Sequence, residues 1–338
     1  MEAVAAAAGV SRALVSLVVR NQPKVSEERR ARVLEAARQL GYRPNAMARN
    51  LASRRTSTVG VLLNDFHNPF FAEIVDGIER AASDRGYRVL FNTGDRHPRG
   101  EQSALEGWLE LRVDGAILVG PCLDTARIVA ASRILPLVVV SRPLRGKAVD
   151  TIATDDRRGA SIVVEHLAGL GHRQIVHVDG GRAAGAAMRR AGYVQAMRRL
   201  GLADHIQIIG GEFTDLAGAR AIDLLLKEGD LPSAIFAAND FMAAGMLDRL
   251  QERDVRVPED ISLVGYDNTS LAALHYVSLT TIDQPRFEMG RLAIEMLLAR
   301  IADPGRRPER RLLSPSLVIR RTTAPVRAAR PVLQEVRG

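Results

Sequence analysis

Three polar residues stand where apolar runs end. Asn239 lies just past "SAIFAA", Asp267 just past "ISLVGY", and Arg189 opens "RRAGY" near the start of the helical stretch that follows "QIVHVD". An amide, a carboxylate and a guanidinium so placed can bind the hydroxyls or ring nitrogens of a small molecule, because ligands of open α/β sheets sit beyond the carboxyl ends of strands. Far upstream, Arg12 and Ala13 follow Ser11 at the start of a short apolar helical run. Arginine can pair in bidentate fashion with guanine and alanine can meet a thymine methyl, so the chemistry there is the reading of base edges. Plainer alternatives stay open at this point. The first set could be helix caps and surface ion pairs, and the second an Ala-rich helical hairpin with solvated arginines.

Bond-making chemistry has no comparable support. There is no G-x-S-x-G elbow, the seven histidines are scattered without His-Glu-x-x-His spacing, and the one cysteine, Cys122, excludes an internal disulfide framework or a cysteine-rich zinc site. Cys122 reads as a buried structural thiol. Gly180, Gly181 and Gly185 follow a strand but lack the G-x-G-x-x-G spacing of a dinucleotide turn. Neither an enzyme nor any cofactor or metal is therefore expected. No apolar run approaches the roughly 18 residues of a membrane span and no signal-peptide pattern opens the chain, so a cytoplasmic address without membrane partners is expected.

The elements that must position these groups fall into two kinds. Residues 1–56 carry eleven Lys or Arg against four Glu, and ten Arg from Arg300 onward face three acids; with +8 overall, the middle is left at −6. A basic head on an acidic body points to a polyanion-binding module joined to something else. In the head, helix formers from Glu2 to Ala8 end at Gly9, Ser11 caps a second helix reaching about Val19, and Ser26 starts a third that runs to Gly41. Val33, Leu34, Ala37 and Leu40 are expected to form the inward face of that third helix. Short helices joined by a Gly turn have the layout of a helix-turn-helix unit. Pro44 then breaks the helical pattern, Asn45 can cap a short helix, and Ser53 to Thr58 reads as linker. Beyond Thr58, apolar strands such as "TVGVLL", "GAILVG" and "PLVVVS" alternate with helical stretches, and the pattern repeats from "QIVHVD". Some ten such units predict two lobes of parallel sheet covered on both faces. The basic stretch at the end has few apolar anchors and reads as a frayed, solvated terminus without heptads.

The runs "VAAAAGVS" and "VSEERRARVLEAARQLGYRPNAMARNL" together resemble the DNA-binding head and hinge of the lactose-repressor (LacI/GalR) family of bacterial transcription regulators. The body is similar to the same family in "NDFHNPFFAEIVDGIERAASDRGY", "HLAGLGHRQIVHV", "AIFAANDFMAAGMLDRL", "VPEDISLVGYDN" and "LTTIDQP", so the resemblance covers nearly the whole chain. It implies that Ser11, Arg12, Ala13, Ser16, Leu17 and Asn21 read DNA, and that Asn45, Ala48 and Leu51 belong to a hinge helix folded on DNA. Leu51 would be the wedge in the minor groove, a role that suits an apolar side chain able to open a base step. For the effector it implies Arg189, Asn239, Asp267, Phe213 and Gln284, with Phe70, Phe71 and Ser141 from the first lobe. The sequence also departs from the family. Met1 falls inside the first helix where a Thr cap is usual, Leu17 replaces a frequently polar or basic residue, and Ser141 stands where many members carry Asp before "RP".

The expected architecture is thus an all-α helix-turn-helix head with a hinge helix, followed by an α/β periplasmic-binding-protein-like core of two doubly wound parallel-sheet lobes. Residues 1–44 would form the head, 45–57 the hinge and linker, 58–325 the core and 326–338 a basic tail. Within the core, residues 58–154 and 284–313 would make the first lobe, and 155–283 and 314–325 the second. The expected function is sequence-specific transcriptional repression controlled by a sugar or related effector, by a homodimer on double-stranded operator DNA. A transport solute-binding protein would share the body but carry an export signal and no basic head. An α/β enzyme would show the catalytic groups that are missing here.

Overall fold

The computed structural model describes residues 1–19, 24–42, 56–144, 149–229 and 231–326. The chain divides into two compact units, Met1–Ser57 and Thr58–Gly338. In the first unit, helix α1 (Glu2–Ala8) has Met1 at its cap position with no side-chain cap bond, and ends at Gly9, whose φ of 62° only glycine adopts at no steric cost. Helix α2 (Arg12–Val19) is capped by Ser11, whose Oγ accepts the Leu14 N–H at 3.2 Å. Helix α3 (Glu27–Gln39) begins after Ser26, which makes no side-chain cap bond, and closes at Gly41 with the Tyr42 N–H donating to the Ala37 carbonyl. The small core is Val4, Ala5, Ala8, Val15, Val18, Val25, Val33 and Ala36. Two expected core residues are not in it: Leu34 is 54 % exposed and Leu40 50 %. Counting from Val33, the i+3 and i+4 positions are Ala36 and Ala37; Leu34 stands about 100° round the helix, and Leu40 is the C-cap beyond its last turn.

The second unit is α/β. Strands β1 (Thr58–Leu63), β2 (Arg88–Thr93), β3 (Gly115–Val119), β4 (Leu137–Val140) and β5 (Asp150–Thr154) make a parallel sheet in the order β11-β5-β4-β3-β1-β2, with β11 (Arg310–Leu313) paired parallel to β5. Helices α4 (Phe70–Ser83), α5 (Pro98–Glu110), α6 (Thr125–Ser132) and α12 (Arg286–Ala302) cover it. β1 and β3 are buried along their whole length, whereas the edge strand β2 exposes alternate residues, which is why the central strands read as unbroken apolar runs. α4 and α12 touch backbone to backbone. A Cβ on Gly77 would lie 2.1 Å from the Phe287 carbonyl oxygen and one on Gly290 2.1 Å from that of Ile74, so glycine is required at both.

The other sheet runs β7-β6-β8-β9, from β6 (Ile175–Val178), β7 (Gln207–Ile209), β8 (Ala234–Ala237) and β9 (Ser262–Val264), all parallel. Helices α7 (Asp156–Gly169), α8 (Ala186–Arg199), α9 (Asp215–Glu228) and α10 (Asp240–Glu252) flank it, with the short α11 (Ser270–Ala273) after β9. An antiparallel pair, β10 (Thr281–Asp283) with β12 (Ser316–Val318), closes this lobe. The chain therefore passes between lobes three times: from β5 to α7, from β10 to α12 and from β11 to β12. The fold class is the one the sequence implied, a helical head before two parallel-sheet lobes.

The basic stretch that begins at Arg300 is bound into the core as far as Val326. Arg300 donates from Nε and Nη2 to the buried Asp150 at 3.0 and 3.1 Å, β11 and β12 follow, and the Val326 N–H donates to the Leu170 carbonyl. Here sheet bonds and a buried ion pair do what side-chain apolarity does elsewhere, and a scan for apolar anchors misses them. Residues 327–338 lie outside the described residues.

Candidate effector site and DNA-reading head

At the C-terminal ends of the second lobe's strands, five of the expected effector residues are gathered. Arg189, in the first turn of α8, donates through Nε to Asp156 Oδ1 at 2.9 Å and through Nη1 to the Ala238 carbonyl, and its Nη2 lies 3.6 Å from Asp267 Oδ1. Its guanidinium carbon sits 3.8 Å from the Tyr266 ring centroid and 5.2 Å from that of Phe213, so the cation is sandwiched in aromatic surroundings. Gln284 joins from the crossing between lobes, donating Nε2–H to Asp267 Oδ1 at 2.7 Å. Asn239 caps α10, accepting the Met242 N–H at 2.9 Å through Oδ1, while its fully buried Nδ2 has no partner among the described residues. Asp267 takes a φ of 121° and Asn268 one of 54°, backbone that non-glycine residues hold only when surrounding contacts over-determine it.

The electrostatics follow from burial. Asp156, Arg189 and Asp267 are all buried, so one guanidinium serves two acids. Desolvation raises the Asp156 carboxyl, with Arg189 opposing, and Asp267 is pushed up to about 8 by desolvation, again against Arg189. Arg189 itself is held above its usual range, because its two acid partners outweigh its own desolvation. Deeper in the lobe, His177 stacks on Phe236 at 4.4 Å and donates Nδ1–H to the Phe236 carbonyl; burial lowers its pKa to about 4, so it is neutral.

The remaining effector candidates belong to the first lobe. Phe70 and Phe71 open α4, buried and edge-to-face at 5.3 Å, and the Phe70 N–H is taken by Asn68 Oδ1. Ser141 follows β4 at a φ of 63°, with its Oγ buried and unpartnered among the described residues. Nearby, the fully buried Glu101 accepts the Cys122 and Leu123 N–H groups and so fixes the loop after β3. Cys122 is only partly buried, with its thiol pushed up by desolvation and by Glu101. A cleft of about 560 Å³ lined by Asp179, Arg182, Arg190, Glu212 and Arg220 lies at the ends of β6 and β7, and none of the expected effector residues lines it.

In the head, Val15 and Val18 face inward, which turns Ser11, Arg12, Ala13 and Leu17 outward with Ser16 half-buried between them. Arg12 Nη1 lies 3.3 Å from Glu2 Oε1, an exposed pair too well solvated to restrain the arginine. Asn21, Asn45, Ala48 and Leu51 lie outside the described residues.

Residues 1–45 match the model of the bacterial regulatory proteins of the lacI family, and residues 164–323 that of the periplasmic binding protein-like domain. The HTH-type transcriptional repressor CytR of Escherichia coli K12 is 35% identical over 96% of this chain and 96% of its own. The ribose operon repressor of the same organism is 36% identical, over 95% and 98%. The Lac repressor dimer bound to operator and the anti-inducer ONPF superposes with a TM-score of 0.85 at 30% identity, over 95% of this chain and 98% of that one. The chain belongs to the LacI family. This LacI-family protein is a DNA-binding transcriptional repressor with a periplasmic-binding-protein-like core, and its relatives are repressors rather than enzymes. Among the described residues, no single helix is long and apolar enough to cross a membrane.

Sequence reasoning left out several residues around the LacI-family cluster. Asp156, Tyr266, Asp240, Asn268 and Arg286 are all part of it or beside it. Asp156 and Asp240 each open a helix directly after a strand end, a position that signals burial once a cationic neighbour is known. Asn268 and Arg286 carry no such signal, since only the tertiary fold brings residue 268 to residue 286.

Proposed function

We propose that this repressor binds a pseudo-palindromic operator as a homodimer in the cytoplasm, and that a sugar or sugar derivative held between the two core lobes controls it. The reading rests on one observation above the rest: Arg189, Asp267, Gln284 and Asn239 lie at the strand ends with a buried donor, Asn239 Nδ2, that has no partner among the described residues. A carboxylate, an amide donor and a guanidinium against aromatic faces suit the hydroxyls and ring face of a sugar. Because Arg189 already gives Nε to Asp156 and Nη1 to the Ala238 carbonyl, a neutral hydroxyl-bearing ligand is favoured over a phosphate ester. Phe70, Phe71, Phe213 and Ser141 complete the walls. Solved relatives described as bound to ribose and to cellobiose support this ligand class.

Ser11, Arg12, Ala13, Ser16, Leu17 and Asn21 make the major-groove contacts, and Asn45, Ala48 and Leu51 the hinge that enters the minor groove. The head spans residues 1–44, the hinge and linker 45–57, and the core 58–325. Two heads meet half-sites about one turn, roughly 10 bp, apart. Effector binding changes the relation of the two lobes and so the DNA-competent population.

A thermal-shift screen of neutral sugars, sugar phosphates and nucleobases tests the site. A true effector at 100 times its Kd adds about 2.7 kcal/mol of stability. A shift given only by phosphorylated ligands, or one kept intact in Asp267→Ala, overturns the assignment.

A further inference from the structure

Arg286 stands at the first residue of α12, directly after the chain has passed from the second lobe to the first. Its side chain is 3 % exposed. Through Nη2 it donates in two directions: to Glu73 Oε1 in the first turn of α4, at 2.8 Å, and to the main-chain carbonyl of Asn268. Glu73 belongs to the first lobe and Asn268 to the second. Nε and Nη1 are buried with no acceptor among the described residues, so Nη2 alone anchors the guanidinium.

Asn268 is the immediate neighbour of Asp267 and the more tightly held of the two. Its side chain donates to Asp283 Oδ1 at 2.7 Å and accepts from Arg320 Nη2 at 2.6 Å, and its N–H donates to Thr281 Oγ1 at 3.2 Å. The next residue, Thr269, gives both its N–H and its hydroxyl to the buried Asp240. These bonds hold a two-residue stretch at positive φ that would otherwise relax, and so they fix where the Asp267 carboxylate points. All of these partners but one come from the second lobe. Arg286 is the exception, because it ties the same turn to α4.

We propose that Arg286 is a positioning residue that couples the Asp267–Asn268 turn of the effector site to the start of α4, through Glu73. A displacement of the turn is passed to Glu73, and a displacement of α4 to the turn, because one nitrogen is bonded to both. Among the described residues the guanidinium has no other hydrogen bond with which to hold its place. Phe70 and Phe71 open the same helix turn as Glu73, so the link also joins the aromatic wall of one lobe to the carboxylate of the other. The proposal rests on the assignment of Asp267 to the effector site, but the geometry of the link does not depend on any ligand.

Hydrogen–deuterium exchange of the full chain without ligand tests it. Glu73→Gln, a mild change at a half-exposed side chain, is expected to speed exchange of amides 267–270 by about tenfold, the effect of turning a charge-assisted hydrogen bond into a neutral one. Arg286→Gln is expected to speed exchange at both 267–270 and 70–76. Adding Glu73→Gln to Arg286→Gln should change nothing further at 267–270, whereas two residues with merely local structural roles would add. If Glu73→Gln alters only residues 70–76, or if the double variant adds fully, the link does not exist. Should Arg286→Gln fail to fold, the single Glu73→Gln result still decides. Whether Asp267 touches the effector is settled separately by the thermal shift of Asp267→Ala, so the two ideas fail in different experiments.

Discussion

The head and the core solve opposite problems with arginine. In the head, Arg12 stands in solvent beside Glu2, and among the described residues the buried core is eight side chains, none larger than valine, edged by Met1, Leu14 and Tyr42. In the core, Arg189 and Arg286 are almost completely enclosed, and each is fixed by partners on several elements. An exposed guanidinium keeps its donors available for a polyanion and contributes little to stability, while a buried one is costly unless paired and so specifies a single arrangement. On the proposed assignments, contact with DNA would fall to a unit whose Arg12 is exposed to solvent, and ligand discrimination to one whose buried arginines are already paired.

The comparison breaks most visibly on removal of residues 1–57. Operator binding, measured by fluorescence anisotropy, should fall by at least about a thousandfold, to the non-specific level or below, while the core keeps its own thermal transition. Retained operator affinity would place DNA recognition in the core. Asp267→Ala makes the complementary cut: operator affinity stays, and the stabilisation of about 2.7 kcal/mol expected from saturating effector disappears.

Protonation separates the two regions further. The folded pKa of Asp267 is raised, to about 8, so its contribution is fully present below the ordinary carboxylate range near 4 and is lost as pH rises through 8. His177 has the opposite sense: with its folded pKa lowered to about 4, its contribution is present above about 6.5 and lost as pH falls through 4. The two oppose each other at acid pH, which leaves pH 6.5 to 8 as the clean window. There the core's calorimetric stability should decline with rising pH, by up to about 1.4 kcal/mol per unit for one proton, and Asp267→Asn should flatten the slope. The head carries no such buried titrating group among its described residues, and its melting should be level over the same range.

Smaller effects sharpen the description of the head's core. Val33→Ala should cost about 2 kcal/mol in the isolated head, and Leu34→Ala within about 0.5, as read by urea titration. The reverse ranking would restore the inward face that the apolar pattern first implied. Ser11→Ala should cost about 1 kcal/mol through loss of the cap on α2, and should leave α1 unaffected.

What the sequence made legible was whatever local patterns encode. Continuous apolar runs marked the central strands, Gly9 and Ser11 marked the turn of the head, and strand ends marked Arg189, Asn239 and Asp267. Leu34 was misplaced because it lies about 100° round the helix from Val33, outside the face that Val33, Ala36 and Ala37 pack on the core. The segments of β11 and β12 were assigned to the lobes but not read as strands, because short strands in a basic stretch are held by backbone pairing and by Asp150, none of which periodicity records. The couplings of Asp156 to Arg189 and of Asn268 to Arg286 needed the fold itself, since no spacing brings such residues together.

The three passages of the chain between lobes bear on the protein's synthesis. The first lobe's sheet starts at Thr58, but its edge strand β11 ends only at Leu313, and α12, which packs against α4 through Gly77 and Gly290, also comes late. At 5–20 residues per second, translating the roughly 250 residues between takes tens of seconds, with the apolar faces of β1, β3 and β4 meanwhile lacking part of their cover. The head can close as soon as it leaves the ribosome. A new molecule therefore owns a closed three-helix head well before it owns a finished core, and in that interval the apolar strands of the first lobe are exposed to whatever binds them.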